Sequence, residues 1–159
     1  MTMPSLRVLL VDDDDIVRAA LEISLARQDR LKTVGSVATG EEAILAADRL
    51  RPDLIILDLG LPGLSGMDTM RSIIKSLPQV RIVVLSATQS PEQIRQAFDA
   101  GAAGYVLKQS SGIDLLEAVQ AVIAGHQYTS PVARRNLASA GGSRLLQVPS
   151  APFPASNSS

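Results

Sequence analysis

Three uninterrupted runs of aliphatic residues constrain the fold more than any other feature of this chain. They are Val8–Val11, Leu54–Leu57 and Ile82–Leu85. Each run has the length of a β-strand. A strand is continuously apolar when both faces of its sheet are covered, as in a parallel sheet between two layers of helices. The runs therefore predict a buried parallel sheet.

Segments with helical periodicity separate the strands. The five predicted strands are Leu6–Val11, Thr33–Val37, Leu54–Leu57, Arg81–Leu85 and Gly104–Leu107. Apolar residues between and after them recur at spacings of three and four residues, as they do on one face of an amphipathic helix. Met70, Ile73 and Leu77 mark the third of five such helices. This alternation predicts a doubly wound α/β fold with a five-stranded parallel sheet and five helices.

Capping residues mark the ends of several predicted helices. Ser90 has the side chain of a helix N-cap, and Pro91 and Glu92 follow it as a first-turn proline and an acidic residue that suits the helix dipole. Gly101 and Gly125 are the glycines expected to end the fourth and fifth helices.

The composition changes after Tyr128. Residues 129–159 contain no Asp or Glu, and 18 of these 31 residues are Ser, Pro, Gly or Ala. Such a segment is too poor in apolar residues to form a second core, although a short helix over Pro131–Leu137 remains possible. We therefore predict one compact domain over residues 1–128 and a linker or disordered tail over residues 129–159.

Composition and charge exclude several classes of protein. The chain has no cysteine, which excludes disulfides and thiolate metal sites. Its formal net charge of −1 favours neither a nucleic-acid surface nor a membrane surface. The run Val8–Val11 is far shorter than the ~20 residues that cross a bilayer. We expect a cytoplasmic protein without direct DNA binding and without a membrane segment.

Charged and hydroxyl side chains follow the ends of four predicted strands. Asp12–Asp15 follow the first strand, Asp58 ends the third, Ser86 follows the fourth and Lys108 follows the fifth. Because parallel strands end at the same edge of their sheet, these side chains are expected to meet there. The sequence thus predicts a site of several carboxylates, one hydroxyl and one ammonium.

This set of side chains suits phosphoryl transfer. Crowded carboxylates repel one another unless cations compensate, and oxygen ligands without His or Cys favour the hard cation Mg2+. A carboxylate beside Mg2+ and Lys108 can attack phosphorus and form an aspartyl phosphate. We assign the nucleophile to Asp58, which ends a central strand and leads into the tight loop Gly60–Gly63.

Four spaced motifs resemble the receiver domains of two-component response regulators. They are Val11-Asp12-Asp13-Asp14, Asp58-Leu59-Gly60-Leu61-Pro62-Gly63 with Gly66, Ser86-Ala87, and Gly104-Tyr105-Val106-Leu107-Lys108. The match covers residues 6–126, with the motifs in the order of that family. The resemblance implies a flavodoxin-like receiver fold. It also implies that a sensor histidine kinase phosphorylates the chain.

The resemblance also implies a role for each matched residue. Asp58 would be the phosphoacceptor and Lys108 the phosphate-binding lysine. Ser86 and Tyr105 would be the switch hydroxyl and the switch aromatic residue. The implied ligands of Mg2+ are Asp13 directly, Asp12 through water, Asp58, and Gly60 through its backbone carbonyl.

Finer features resemble the NarL/LuxR-type subclass. They are Ala100–Tyr105 and the run Gly125–Pro131. In that subclass the second segment leads to a helix-turn-helix domain, which needs about 60 residues of helical pattern. The sequence after residue 128 does not contain one. The resemblance implies a possible homodimer and a part in transcriptional regulation, through a protein–protein contact rather than direct DNA binding.

Two alternatives remain at this stage. The first is a phosphohydrolase of the haloacid-dehalogenase kind, whose chemistry needs a second aspartate two residues after the nucleophile; Gly60 stands there. The second is an interaction module that keeps the fold and works without phosphorylation, which the complete set of site residues disfavours. We expect no enzyme activity beyond the chain's own phosphorylation and dephosphorylation.

Overall fold

Strands and helices alternate along the whole domain. The computed structural model describes residues 5–88, 90–108, 112–131, 134–135 and 138. The elements in chain order are β1 (Leu6–Val11), α1 (Asp15–Ala26), β2 (Leu31–Val37), α2 (Gly40–Leu50), β3 (Leu54–Asp58), α3 (Gly66–Ser76), β4 (Arg81–Ser86), α4 (Pro91–Asp99), β5 (Gly104–Leu107), α5 (Gly112–Ile123) and β6 (Tyr128–Thr129). The predicted α/β class and its five helices are confirmed.

The sheet is parallel, with the strand order β2-β1-β3-β4-β5-β6. The chain leaves β1 toward β2 and then returns to the other side of β1 as β3. The direction of winding therefore reverses between β1 and β3, and in open α/β sheets ligands bind outside the carboxyl ends of the strands at such a point. The register pairs Val11 with Leu57 and Asp58 with Leu85, which brings these strand ends level.

Two hydrophobic layers cover the sheet. Alternate strand residues point to opposite faces: Leu9 and Val11 belong to one buried cluster, and Val8 and Leu10 belong to the other. The first cluster contains buried residues of α2, α3 and α4. The second contains Leu25 of α1 and the buried side of α5. This arrangement explains why β1, β3 and β4 are apolar at nearly every position.

The sixth strand was not predicted. Tyr128 and Thr129 pair in parallel with Gly104 and Tyr105 of β5, and Thr129 and Ser130 are fully buried. A strand of two residues is too short to show the alternation on which sequence-based assignment depends.

The packed domain thus includes two residues that we assigned to the tail. Within the remainder of that segment, Pro131, Arg134, Arg135 and Ala138 are helical, in agreement with the possible short helix over Pro131–Leu137. The other residues of the predicted tail lie outside the described part of the chain.

The helix boundaries follow the capping residues. The Ser90 hydroxyl accepts a hydrogen bond from the backbone N–H of Gln93 at 3.4 Å, and Pro91 occupies the first turn of α4. Gly101 and Gly125, which come after α4 and α5, have φ angles of 115° and 92°, a conformation that favours glycine. Among the described residues, no helix has the length and apolar character needed to cross a membrane.

Gly66 allows α3 to begin directly against the end of β3. A Cβ atom at this position would lie 2.5 Å from the carbonyl oxygen of Asp58 and 2.5 Å from the Cα atom of Leu59. Both are backbone atoms, so they cannot yield by changing rotamer. The absence of a side chain at Gly66 therefore helps to set the position of Asp58.

We predict that Gly66→Ala destabilises the domain by about 2 kcal/mol, the usual cost of overpacking. Urea unfolding followed by circular dichroism measures this difference. Ser72→Ala, at an exposed position of α3, is the matched control and should change the free energy of unfolding by no more than ~0.5 kcal/mol. Equal stabilities of the two variants would contradict the proposed close contact.

Candidate functional site

Asp58 lies at the centre of the carboxyl edge of the sheet. Its side chain is almost fully buried, with the residue 3% exposed. Atom Oδ1 accepts a hydrogen bond from the backbone N–H of Gly60 at 2.8 Å, and atom Oδ2 accepts one from Nζ of Lys108 at 2.9 Å. The carboxylate is therefore held on both oxygens by groups that come from different strand ends.

Lys108 joins two buried carboxylates. Its Nζ atom lies 2.9 Å from Oδ2 of Asp58 and 3.1 Å from Oδ2 of Asp12. Burial opposes the charge of the ammonium group, but the hydrogen bond to Asp58 and the negative charges of Asp58 and Asp12 outweigh it and raise the pKa of Lys108. Lys108 therefore stays charged and compensates part of the negative charge at the site.

Asp12 is the most deeply buried acidic residue of the site. It is 0% exposed, and its Oδ1 atom accepts a hydrogen bond from the backbone N–H of Asp14 at 2.9 Å. Its Oδ2 atom is within ion-pair distance of Lys108, but no donor among the described residues points at it with hydrogen-bond geometry. Burial is the main cause that raises the pKa of Asp12. A buried carboxylate oxygen without a directed donor is a natural cation ligand.

Three carboxylates converge as a set of metal ligands. Oxygen atoms of Asp12, Asp13 and Asp58 all lie within 4.8 Å of one another. Asp13 is exposed, whereas the other two are buried, so the group opens to solvent on one side. Three carboxylates that share one ammonium leave a negative charge, and an all-oxygen set suits Mg2+. The all-oxygen donor set, with an Oδ2 atom of Asp12 that has an ion-pair contact but no directed hydrogen bond, thus fits a hard divalent cation.

An open cleft lies above these carboxylates. It has a volume of about 430 Å³. It is lined by Asp13, Asp58, Leu59, Gly60, Ser86, Ala87, Thr88, Gln93 and Lys108. A nucleophilic carboxylate, a hydroxyl and an ammonium therefore face one space that is open to a phosphoryl donor.

Ser86 lines this cleft, and Tyr105 is packed behind it. Ser86 is 3% exposed and Tyr105 is 0% exposed. The phenol of Tyr105 donates a hydrogen bond to the carbonyl oxygen of Thr88 at 3.0 Å. Burial raises the pKa of Tyr105, and a smaller opposing effect comes from the Ser86 hydroxyl. The aromatic ring is thus packed inside, against the loop that follows Ser86.

The structure brings the site residues singled out in the sequence to one edge of the sheet. Asp12, Asp13, Asp58 and Lys108 form the charged group, Ser86 and Gly60 line the cleft, and Tyr105 packs behind it. The two further acids of the first loop lie aside from this group. Asp14 caps α1 by accepting from the N–H groups of Ile16 and Val17, and the side chain of Asp15 is 87% exposed beside Arg18.

Two neighbouring residues were missed. Arg18 donates a hydrogen bond to the carbonyl oxygen of Asp12, and Nε2 of Gln93 donates to Oγ of Ser86 at 3.2 Å. Gln93 stands three residues after Ser90, a spacing that is typical of a helix capping box. The sequence signal for Gln93 therefore indicates a role in capping rather than in the site.

A family model for the response regulator receiver domain matches residues 8–120. The response regulator GacA of Pseudomonas viridiflava is 35% identical over 133 residues, which are 84% of this chain and 62% of that protein. The response regulator protein VraR of Staphylococcus epidermidis is 34% identical over 127 residues, or 80% of this chain and 61% of that protein. The chain thus spans about three fifths of the length of these relatives.

Solved structures agree with the sequence relatives. A LuxR-family two-component response regulator from Aurantimonas superposes with a TM-score of 0.83 at 32% identity, covering 86% of this chain and 98% of the other. The isolated receiver domain of RcsB from Salmonella enterica, solved with the phosphomimetic BeF3-, superposes with a TM-score of 0.79 at 27% identity, covering 84% and 99%. The likeness extends over nearly the whole length of both solved chains.

We predict that Asp12→Asn stabilises the domain at neutral pH in the absence of divalent cations by more than ~0.5 kcal/mol, because burial opposes the charged form of Asp12 more than its hydrogen bonds and Lys108 favour it. The folded state raises the pKa of Asp12 above the ordinary aspartate value of 3.8. The charged form of Asp12 therefore lowers the free energy of unfolding at pH 7. This destabilisation is lost on acidification, as Asp12 takes up a proton in the folded protein. Urea unfolding of both proteins between pH 7 and about pH 4.5 should show the difference narrowing.

Asp29→Asn serves as the control for this experiment. Asp29 is exposed in the turn between α1 and β2, where neutralising a charge should change stability by less than ~0.5 kcal/mol. A gain from Asp12→Asn that stays constant with pH would show that relief of a buried charge is not its cause.

Proposed function

This chain belongs to the response regulator receiver family, with relatives among the LuxR-type regulators, and we propose that it is a switch operated by phosphorylation of Asp58. The observation that carries the proposal is the convergence on Asp58 of Lys108, Asp12 and Asp13. In this arrangement the nucleophile, the ammonium that compensates its charge and a set of candidate metal ligands are grouped at one edge of the sheet. We propose a histidine kinase of a two-component system as the phosphoryl donor and the cytoplasm as the compartment.

Transfer would proceed by attack of an Asp58 carboxylate oxygen on the phosphorus atom of a phosphohistidine. The P–N bond breaks, and the imidazole leaves with a proton from solvent. Asp12, Asp13, Asp58 and the carbonyl of Gly60 would hold Mg2+, which supplies positive charge to the phosphoryl oxygens when bound. The Lys108 ammonium neutralises further charge on those oxygens, and the hydroxyl of Ser86 can donate to one of them.

The exposed face of α1 is our candidate surface for the kinase. Ile16 is 81% exposed and Ile23 is 60% exposed, and a spacing of seven residues places them on one face of the helix. Ile16 is two residues beyond Asp14, at the end of the acidic loop. A protein that carries a phosphohistidine to Asp58 must dock beside the cleft, and this apolar face adjoins it.

The response to phosphorylation is a shift between two conformations. Tyr105 already occupies a buried position, with its hydroxyl bonded to the loop that follows Ser86. A phosphoryl group on Asp58 would draw the Ser86 hydroxyl toward it and favour the conformation in which Tyr105 is buried. The surface of α4, β5 and α5 would then favour a different protein contact.

The output would be a protein–protein contact that feeds transcriptional regulation, with a homodimer as one form of it. The relatives are longer than the matched region, and we propose no direct DNA binding by the residues of this chain. We also propose no turnover of external substrates. A haloacid-dehalogenase mechanism needs an aspartate two positions after Asp58, and that position is Gly60.

We predict that incubation with acetyl phosphate and Mg2+ adds one phosphoryl group, detected by intact-mass spectrometry. Asp58→Ala should abolish the label, and a chelator should suppress labelling of the wild type. Ser86→Ala should still be labelled, because the nucleophile and Lys108 remain. Asp15→Ala, which removes an exposed carboxylate outside the site, should be labelled like the wild type.

Labelling of Asp58→Ala at the wild-type rate would refute the assignment of the phosphoacceptor. A wild type that takes up no label, and whose melting temperature does not respond to Mg2+ with beryllofluoride, would favour an interaction module that works without phosphorylation.

We also predict that Ile16→Glu slows phosphoryl transfer from a kinase by about tenfold, the loss expected when one of the few residues that dominate an interface is changed. The donor in this experiment is a histidine-kinase core that phosphorylates the wild-type chain. Labelling by acetyl phosphate, which needs no docking surface, should be unchanged. Leu45→Glu is the matched control, because Leu45 is a 72% exposed apolar residue on α2. Equal slowing by both variants would exclude a specific role for α1.

A further inference from the structure

Gln93 connects the fourth helix to the switch hydroxyl. Its Nε2 atom donates a hydrogen bond to Oγ of Ser86 at 3.2 Å. Gln93 is half-buried in the first turn of α4 and lines the same cleft as Asp58 and Lys108. It is thus a polar side chain that faces the reaction space from an element that carries none of the predicted site residues.

The direction of the Gln93 side chain departs from what its position favours. In a capping box, Gln at the third helical position accepts a hydrogen bond from the backbone N–H of the N-cap residue. Here the N-cap is Ser90, and its N–H donates instead to Oγ1 of Thr88 at 3.2 Å. Thr88 therefore accepts the hydrogen bond that Gln93 would accept in a capping box. The side-chain amide of Gln93 donates to Ser86 instead.

The bonds to Ser86 determine what its hydroxyl can still do. A serine hydroxyl has two acceptor lone pairs and one proton to donate. Oγ of Ser86 accepts from the backbone N–H of Thr88 at 3.1 Å and from Nε2 of Gln93 at 3.2 Å. With both lone pairs occupied, the hydroxyl can form one more hydrogen bond, and in that bond it must be the donor.

We propose that Gln93 is a positioning residue, which keeps the Ser86 hydroxyl oriented as a donor to a phosphoryl oxygen on Asp58. The inference rests on the proposed phosphorylation of Asp58 and concerns the regulation of that same site. The acceptor needed is an anionic oxygen or fluoride in the cleft, and this is what a phosphoryl group or beryllofluoride supplies.

The same hydrogen bond links Ser86 to the position of α4. Tyr105 bonds the carbonyl of Thr88, Thr88 bonds both Ser86 and Ser90, and Gln93 closes the loop back to Ser86. A displacement of Ser86 toward a phosphoryl group would therefore pull on the first turn of α4 through the Gln93 side chain. Phosphorylation of Asp58 would reach a helix that has no direct bond to it.

The test replaces Gln93 by Met, which has a similar length and suits a helix but has no N–H to donate. We measure the affinity of the full chain for beryllofluoride with Mg2+ in four proteins: the wild type, Gln93→Met, Ser86→Ala and the double variant. Gln93→Met should weaken binding by about tenfold, the value of one hydrogen bond to a charged group. Gln96→Met, an exposed position of α4, should bind like the wild type.

The double variant separates positioning from a general structural effect. If Gln93 acts through Ser86, Gln93→Met should have no further effect in the Ser86→Ala protein. A second measurement follows the backbone amides of α4 by NMR: beryllofluoride should shift those of Ile94 and Ala97 in the wild type and much less in Gln93→Met.

Three results would overturn the inference. They are unchanged affinity in Gln93→Met, an equal loss in the Ser86→Ala background, and undiminished shifts of the α4 amides in Gln93→Met. Failure of the proposed function looks different, because the wild type itself would then neither bind beryllofluoride nor be labelled at Asp58.

Discussion

The ion pairs of Lys108 with Asp58 and Asp12 are the interaction on which the site depends. Two carboxylates at the ends of neighbouring strands are buried, and each would be costly in that environment without a cation. Lys108 can pair with both carboxylates only because β1, β3 and β5 end at the same edge of the sheet. β4 lies between β3 and β5 and fixes their register. The parallel sheet is thus what makes a single ammonium sufficient to hold two buried charges.

Much of this arrangement could be predicted from sequence because it rests on strong, periodic signals. The bounds of β1 and β5 agree with the prediction, and the carboxyl ends of the strands carry the residues expected there. β2 begins at Leu31 rather than at Thr33. It is an edge strand with mostly half-buried residues, so its sequence lacks the continuous apolar run that marks the central strands.

Other features depend on tertiary contacts that no local pattern records. β6 exists because Tyr128 and Thr129 meet an open edge of β5. The burial of Tyr105 could not be read from its sequence context, since an aromatic ring with a polar tip suits either a packed or an exposed position. Gln93 was overlooked because its spacing from Ser90 favours a capping role, and only the hydrogen bond from Ser90 to Thr88 releases it for another.

The charges of the site also explain why a divalent cation and a phosphoryl group should act together. The carboxylates of Asp12, Asp13 and Asp58 with the Lys108 ammonium carry a formal charge of −2. Conversion of the Asp58 carboxylate into an acyl phosphate dianion adds about one further negative charge. This addition is unfavourable at a site that already has a formal charge of −2. A bound divalent cation brings the starting charge to zero, so that the phosphorylated site is left near −1. On the proposed function, the uncompensated charge of the three carboxylates is therefore the reason why phosphorylation of Asp58 should require a divalent cation as well as a phosphoryl donor.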